Sequence, residues 1–441
     1  MNILQEVFEE VLQNELSPEV VGALFIRQKL EEKGFSLTED QFLDIQQKLK
    51  GYKGGSFTVD LEIDVGGKRD IVVDLEEGES IEEFVNDLFF KVVPKIVKVT
   101  AREILQILKQ DLGKLLKERS KDRENFEKRL HEVWGKAFNL LEMLVHLSLE
   151  AGDDFNREFR EEMALERNFV FEALTRLQAR ACQVASEVLT LLKSGYADGA
   201  HARWRSLHEI AVVSLFIDKY GNEVAERYLL HDNVESYKAA RLYQKYHDRL
   251  GVEPLAPSEM EELESIYNAL LERFGSDYKY QYGWASTALG KAKPTFRDLE
   301  EDVSLDHLHP YYKLASHNVH ANPKGVFFRL GLYPESTDML LAGPSNTGFA
   351  DPAHGTALSL SQVTITLLTM RPNIDRLVFS EVLLMLTDEI GEAFLSIQKS
   401  LENQSRPTVR PADGATPLGD RGGKNSGLRS PSGCLDGTPR R

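Results

Sequence analysis

Four side chains in two short stretches have the chemistry of a reactive site. Arg205-Ser206-Leu207-His208-Glu209 sits in an apolar run, and Tyr312-Lys313-Leu314-Ala315-Ser316-His317-Asn318-Val319-His320 follows far downstream. Residues four apart share one face of an α-helix, so Arg205 pairs with Glu209 and Ser316 with His320. If the two faces meet, a guanidinium, a carboxylate, a hydroxyl and an imidazole share one mostly apolar wall. A guanidinium steadied by a carboxylate presents planar donors to a phosphate or another anion. An imidazole moves protons near neutral pH. The expected catalytic set is therefore Arg205, Glu209, Ser316 and His320, with Tyr312, Arg203 and His208 as ligand-binding neighbours.

A structural reading of the same residues stands beside this one. Arg205 and Glu209 lie among Leu207, Ile210, Ala211, Val212, Val213 and Leu215. A helix this apolar is central to a bundle, and its charges must be paired. The cluster is then a buried polar network in a non-catalytic binding or scaffold protein.

Other reaction classes find less support. A serine nucleophile needs an orienting carboxylate, an oxyanion hole and a sharp turn. No Gly-x-Ser-x-Gly elbow occurs, so Ser316 is expected to orient His320 or to cap backbone. His307, His309, His317 and His320 cluster, but without a His-Glu-x-x-His pattern or a nearby cysteine. Capping and surface roles fit them better than a metal site, and no metal is expected. Gly54-Gly55 and Gly66-Gly67 lack the downstream Lys-Ser/Thr of a phosphate loop, and no cofactor is expected. The acidic runs, Glu300-Glu301-Asp302 among them, read as solvated faces or helix starts.

Two resemblances bear on these residues. Arg203-Trp204-Arg205-Ser206-Leu207-His208 resembles the Arg-x4–6-His signature of the HEPN ribonucleases, helical proteins that cut RNA without a metal; Arg241 and His247 fit it too. That resemblance implies an Arg stabilising charge at the scissile phosphate and a His transferring the proton. Here Arg205 acting with His320 across two helices suits those roles better than Arg203 with His208. Separately, the Gly-containing lead-in from Gly195, the Arg-Ser-Leu-x-Glu of Arg205 to Glu209 and the Tyr-x-x-x-Ser-x-x-x-His of Tyr312, Ser316 and His320 resemble a bacterial family known only as a domain of unknown function. The likeness spans about residues 165–400. It implies an all-helical domain that pairs the two stretches, and associates the chain with mobile-element or phage-defence contexts. The reaction expected is metal-independent RNA cleavage by a toxin or defence effector, with RNA or another phosphate-bearing molecule as partner.

The elements that must position these residues are mainly helical. Residues 2–50 read as three short helices: Ser17-Pro18-Glu19 opens one, and Thr38-Glu39-Asp40-Gln41 opens the next as a capping box. Alternation from Phe57 to Val65, a turn at Gly66-Gly67 and a return through Ile71, Val73 and Leu75 predict a β-hairpin. A lone hairpin is marginal in water, so it is expected to lean on the helices. A long amphipathic stretch begins at Ser80, with an interruption expected at Pro94 and a turn at Gly152-Asp153-Asp154. Further helices are expected over 156–193, from 197 through Ile217, over 223–250, 311–321, 353–370 and 374–400. The domain plan is a helix and β-hairpin module (1–78), connecting helices (79–160), a helical bundle with the site (161–403) and a disordered basic tail (404–441).

Composition sets the surroundings. The 441 residues are 42% hydrophobic with a formal charge of −17, which argues against a general nucleic-acid coat. From Arg406 onward seven basic residues face three acidic ones, a net +4 that leaves −21 for the rest. A basic tail on an acidic body favours self-association, so a homo-oligomer is in view. No run is long and apolar enough for a membrane span, and no secretory signal is seen. With only Cys182 and Cys434, a structural disulfide is not expected and the cytoplasm is the expected compartment.

Overall fold

A computed structural model describes residues 17–50, 56–63, 67–74, 78–332 and 339–405. The first expected helix, the hairpin turn and the basic tail lie outside the described residues. The chain divides into two compact units, Met1–Phe126 and Glu127–Arg441. Among the described residues, no helix is long and apolar enough to cross a membrane.

In the first unit, α1 (Pro18–Glu32) starts where Ser17 accepts a hydrogen bond from the Val20 N–H, with Pro18 in the first turn. Helix α2 (Glu39–Leu49) opens on the Thr38–Gln41 capping box. Ala23, Ile26 and Leu30 of α1 close a small core with Leu37, Ile45 and Leu49. Strands β1 (Ser56–Ile63) and β2 (Gly67–Asp74) pair antiparallel, from Ser56 opposite Asp74 to Ile63 opposite Gly67.

Helix α3 (Gly78–Leu165) runs for 88 residues, through Pro94 and through the turn expected at Gly152. The glycine has another use there. A Cβ on Gly152 would lie 2.4 Å from the Gln178 side-chain oxygen, so the missing side chain admits the neighbouring helix. Gln178 then donates to the Ser148 carbonyl at 2.7 Å. The chain turns later, at Arg167 (φ 53°), and Asn168 caps α4 (Phe169–Lys193) by accepting from the Phe171 N–H.

Gly195, at φ 83°, separates α4 from α5 (Ala197–Tyr220), and Gly221, at φ 76°, separates α5 from α6 (Asn222–Leu250). Then come α7 (Pro257–Phe274), the short α8 (Ser286–Leu289), α9 (Phe296–Asp302), α10 (His309–Val319), α11 (Pro323–Phe327), α12 (Ala350–Leu368) and α13 (Ile374–Ser405). The mainly α architecture is thus observed.

Helix α5 is the hub of the second unit. Val212, Phe216 and Ile217 join a large core with Phe171, Leu174, Trp284, Phe296, Leu299 and Leu367. On another side Trp204 donates to Ser359 of α12 at 3.2 Å. Gly355 allows that approach, because a Cβ there would meet the indole at 2.8 Å. His201 stacks on Trp204, ring centroids 5.4 Å apart, and is wholly buried with neither ring nitrogen hydrogen-bonded.

Burial pushes the His201 imidazole down from 6.5 to about 4, so the native ring is neutral. In the unfolded chain it takes up a proton as the pH falls through 6.5. Stability is complete above that value and is lost progressively down to about 4, by on the order of 3 kcal/mol. Urea unfolding of wild type and His201→Leu at pH 7 and pH 4.5 checks this: the wild type is expected to lose more stability than the variant. Equal losses would show that the ring contributes nothing to acid sensitivity.

Candidate acid–base site

Helix α5 turns Arg205, His208 and Glu209 toward α9 and α10, since positions i, i+3 and i+4 share a face. Tyr312, in the first turn of α10, is buried and joins the pair. Its hydroxyl donates to Glu209 Oε1 at 2.6 Å and accepts from Arg205 Nη2 at 2.8 Å. Arg205 and Glu209 are themselves 3.2 Å apart, and the guanidinium lies 4.8 Å from the Tyr312 ring centroid. Burial, reinforced by the Glu209 charge, raises the Tyr312 hydroxyl well above its ordinary range. Burial works against the charge on Arg205, but Tyr312 and Glu209 outweigh it and raise its pKa. Tyr282 stands close enough to feel the same charges and is pushed up to about 12, chiefly by burial.

Beneath this triad lies a second one. Glu300 of α9 is wholly buried and uses both carboxylate oxygens on histidines. His208 Nε2 is 2.9 Å from Oε1, and His309 Nδ1 is 2.6 Å from Oε2. An ionised carboxylate only accepts, so with Glu300 charged each of those ring nitrogens donates. That assigns His309 the tautomer with its proton on Nδ1, leaving Nε2 as an acceptor in the neutral ring. His208 is wholly buried, whereas the His309 side chain is 20% exposed and its Nε2 has no hydrogen-bond partner among the described residues. The two triads share the Tyr312 ring, with His309 and His208 centroids 5.8 and 5.9 Å away and Phe296 at 4.8 Å. Within these two triads, Arg205 Nε and His208 Nδ1 are buried without a hydrogen-bond partner among the described residues.

Arg205, Glu209 and Tyr312 therefore meet as the spacing implied, and the rest of the expected set does not. Helix α10 ends at Val319, and His320 is its extended C-cap (φ −105°, ψ 141°) with an exposed side chain. Two helical turns beyond Tyr312, about 11 Å along the axis, it has no bond to Arg205 or Glu209. Ser316 donates to the Tyr312 carbonyl at 2.8 Å and does not orient His320. Arg203 points to α4, where it pairs with Glu187, and also donates to Ser206. His208 has no exposed surface with which to meet a ligand. The Arg203–His208 pair is thus split between two sides of α5.

Two residues of the site were passed over in the sequence. Glu300 sits in an acidic run expected to be solvated, and His309 among histidines expected to cap helices or face solvent. The signal for Glu300 is present, because Phe296, Leu299 and Val303 mark an apolar face that includes position 300. His309 lies one turn before Tyr312. Among the described residues, no group of three or more His, Cys, Asp or Glu could hold a metal ion.

Residues 171–335 match the family model described as a family of unknown function (DUF5677), a segment that contains all of Arg205, Glu209, Glu300, His309 and Tyr312. No curated protein and no solved structure matches the chain.

The burial order fixes an order of stability effects. Glu300→Ala strands the buried His208 ring and is expected to cost ~3 kcal/mol or more. Tyr312→Phe removes a hydroxyl from an Arg–Glu pair that still touches and has access to water, at ~1 kcal/mol. Denaturant unfolding of both variants checks the ranking, and the reverse order would show that the Tyr312 bridge, not Glu300, holds the helices.

Proposed function

We propose that this face of the second unit is a metal-independent acid–base site for a phosphate-bearing substrate, with RNA cleavage as the reaction. The observation that supports it most is the hydrogen bond from His309 to a wholly buried carboxylate, which leaves the second ring nitrogen free. A base held in one tautomer by a buried carboxylate is the arrangement that proton abstraction from a ribose hydroxyl requires. His309 takes the role that the sequence spacing assigns to His320. Arg205, against the same Tyr312 ring, supplies charge for the phosphate, and Glu209 and Tyr312 hold its guanidinium in place. The setting proposed is a cytoplasmic toxin or phage-defence effector.

A second reading has its own observation. Tyr312, Arg205 and Glu209 satisfy one another, as a network that only fastens α10 to α5 would. The chain is then a non-catalytic binding or scaffold protein.

One substitution separates the two. In His309→Asn the amide can still donate to Glu300 but has no base to offer. Purified full-length protein is incubated with a mixed-sequence RNA in the presence of a chelator, and melting is recorded in parallel. Cleavage by the wild type is expected, with a loss of about 100-fold or more in His309→Asn, an unchanged melting temperature and activity retained in His320→Ala. A wild type that leaves RNA intact, or a His309→Asn protein that still cuts it, would overturn the proposal.

A further inference from the structure

From His307 to Leu332 the chain carries Lys313, Lys324, Arg329 and four histidines and not one Asp or Glu, although its formal charge is −17. Lys313 and Lys324 are exposed, and among the described residues no carboxylate pairs with them or with Arg329. The carboxylates that do bond to this stretch hold other groups: Glu300 holds His309, Glu209 holds Tyr312, and Asp198 holds the N–H groups of Leu330 and Gly331. His309, Lys313 and His317 follow at intervals of four, so they form one ridge of α10 with about 6 Å of axial rise per step. The ridge starts at the free nitrogen of the proposed acid–base site.

His317 is set to donate along that ridge. Asn322 Oδ1 accepts from the Gly325 N–H at 3.0 Å, which fixes the amide so that Nδ2 donates to His317 Nδ1 at 2.7 Å. The neutral ring then carries its proton on Nε2, which has no hydrogen-bond partner among the described residues. Gly325 also lets α11 close on the end of α10, because a Cβ there would run into the His317 carbonyl oxygen. That approach brings Lys324 and Phe327 beside the end of the ridge. Lys324 lies 5.3 Å from the Phe328 ring centroid, and Phe327 is 86% exposed.

Resting on RNA as the ligand of that site, we propose that α10 and α11 form a track for single-stranded RNA. Lys313 and Lys324 neutralise phosphates that flank the one at His309, His317 donates to a phosphate oxygen between them, and Phe327 stacks a base. A base stacked on Phe327 must be free of a partner strand, so the track takes a single strand in preference to a duplex. An anionic bilayer fits less well. It attracts clusters of about 4–8 Lys or Arg, whereas the ridge holds its few cations in single file on an otherwise acidic chain.

Fluorescence anisotropy of the full chain with a labelled, mixed-sequence strand of about 12 nucleotides tests this. The 2′-hydroxyls of the strand are methylated, so the proposed reaction cannot cut it. Lys313→Gln is expected to weaken binding several-fold and to lower the slope of log affinity against log salt by about 0.7, the share of one phosphate on a single strand. Phe327→Ala is expected to weaken binding about tenfold with the slope unchanged. Both side chains are exposed, so both variants are expected to melt as the wild type does. A duplex of the same sequence is expected to compete at least ~10-fold more weakly. A wild type that does not bind the strand would overturn the track. So would variants that bind it at full affinity, as they would if the basic tail alone held it, a duplex that binds as tightly, or phosphatidylserine vesicles that displace the strand. Binding that depends on Lys313 and Phe327, beside a wild type that leaves unmodified RNA intact, would sustain the track and overturn the cleavage. Cleavage of unmodified RNA by a wild type whose ridge variants bind normally would do the reverse.

Discussion

A wholly buried carboxylate with both oxygens on imidazoles is the constraint on which the site depends. Among the described residues, Glu300 has no Lys or Arg in ion-pair contact; its partners are His208 from α5 and His309 from α10. Taking an acidic side chain out of water is costly unless its oxygens are satisfied, so the three helices must hold this register for the pair of bonds to exist. The Tyr312 ring is then fixed between the histidines and Phe296. Only with that ring in place does its hydroxyl reach both Arg205 and Glu209. Each outer contact presupposes the inner one.

Helix α5 organises the unit because successive residues point in directions about 100° apart, and each direction has its own partner. Arg203 reaches Glu187 on α4, Trp204 reaches Ser359 on α12, and Arg205, His208 and Glu209 face α9 and α10. Along its buried length α5 leaves little solvent for polar groups, so its polar residues there serve as fasteners. His201 is the exception, a buried ring with no hydrogen bond. The result is a bundle in which one partly exposed imidazole and one partly exposed guanidinium lie against a common aromatic ring.

The legible part of the site came from periodicity within unbroken helix. Arg205 and Glu209 are four apart in the middle of α5, and Tyr312 lies in the first turn of α10, so the pattern located all three. The same rule failed at His320 because the helix stops one residue earlier. Asn322-Pro323 contains the warning, since the residue before a proline is driven to extended backbone, and Asn322 is extended (ψ 159°). Gly152 failed in the other direction: it reads as a turn, and what it provides is room for Gln178. Glu300 was hidden by its neighbours Glu301 and Asp302, where composition suggested solvent although the apolar spacing pointed inward. Local chemistry was readable throughout; long-range partners such as Glu300 for His208, 92 residues apart, were not.

The central claim is that Glu300 sets the tautomer of His309, and nitrogen NMR of the imidazoles addresses it directly. Long-range proton–nitrogen correlation spectra of uniformly labelled protein distinguish a protonated Nδ1 from a protonated Nε2. For His309, identified by its loss in His309→Asn, a protonated Nδ1 with slow solvent exchange and an unprotonated Nε2 is the expected pattern. A His309 ring with its proton on Nε2, or one exchanging freely between the two forms as in an unfolded peptide, would contradict the account.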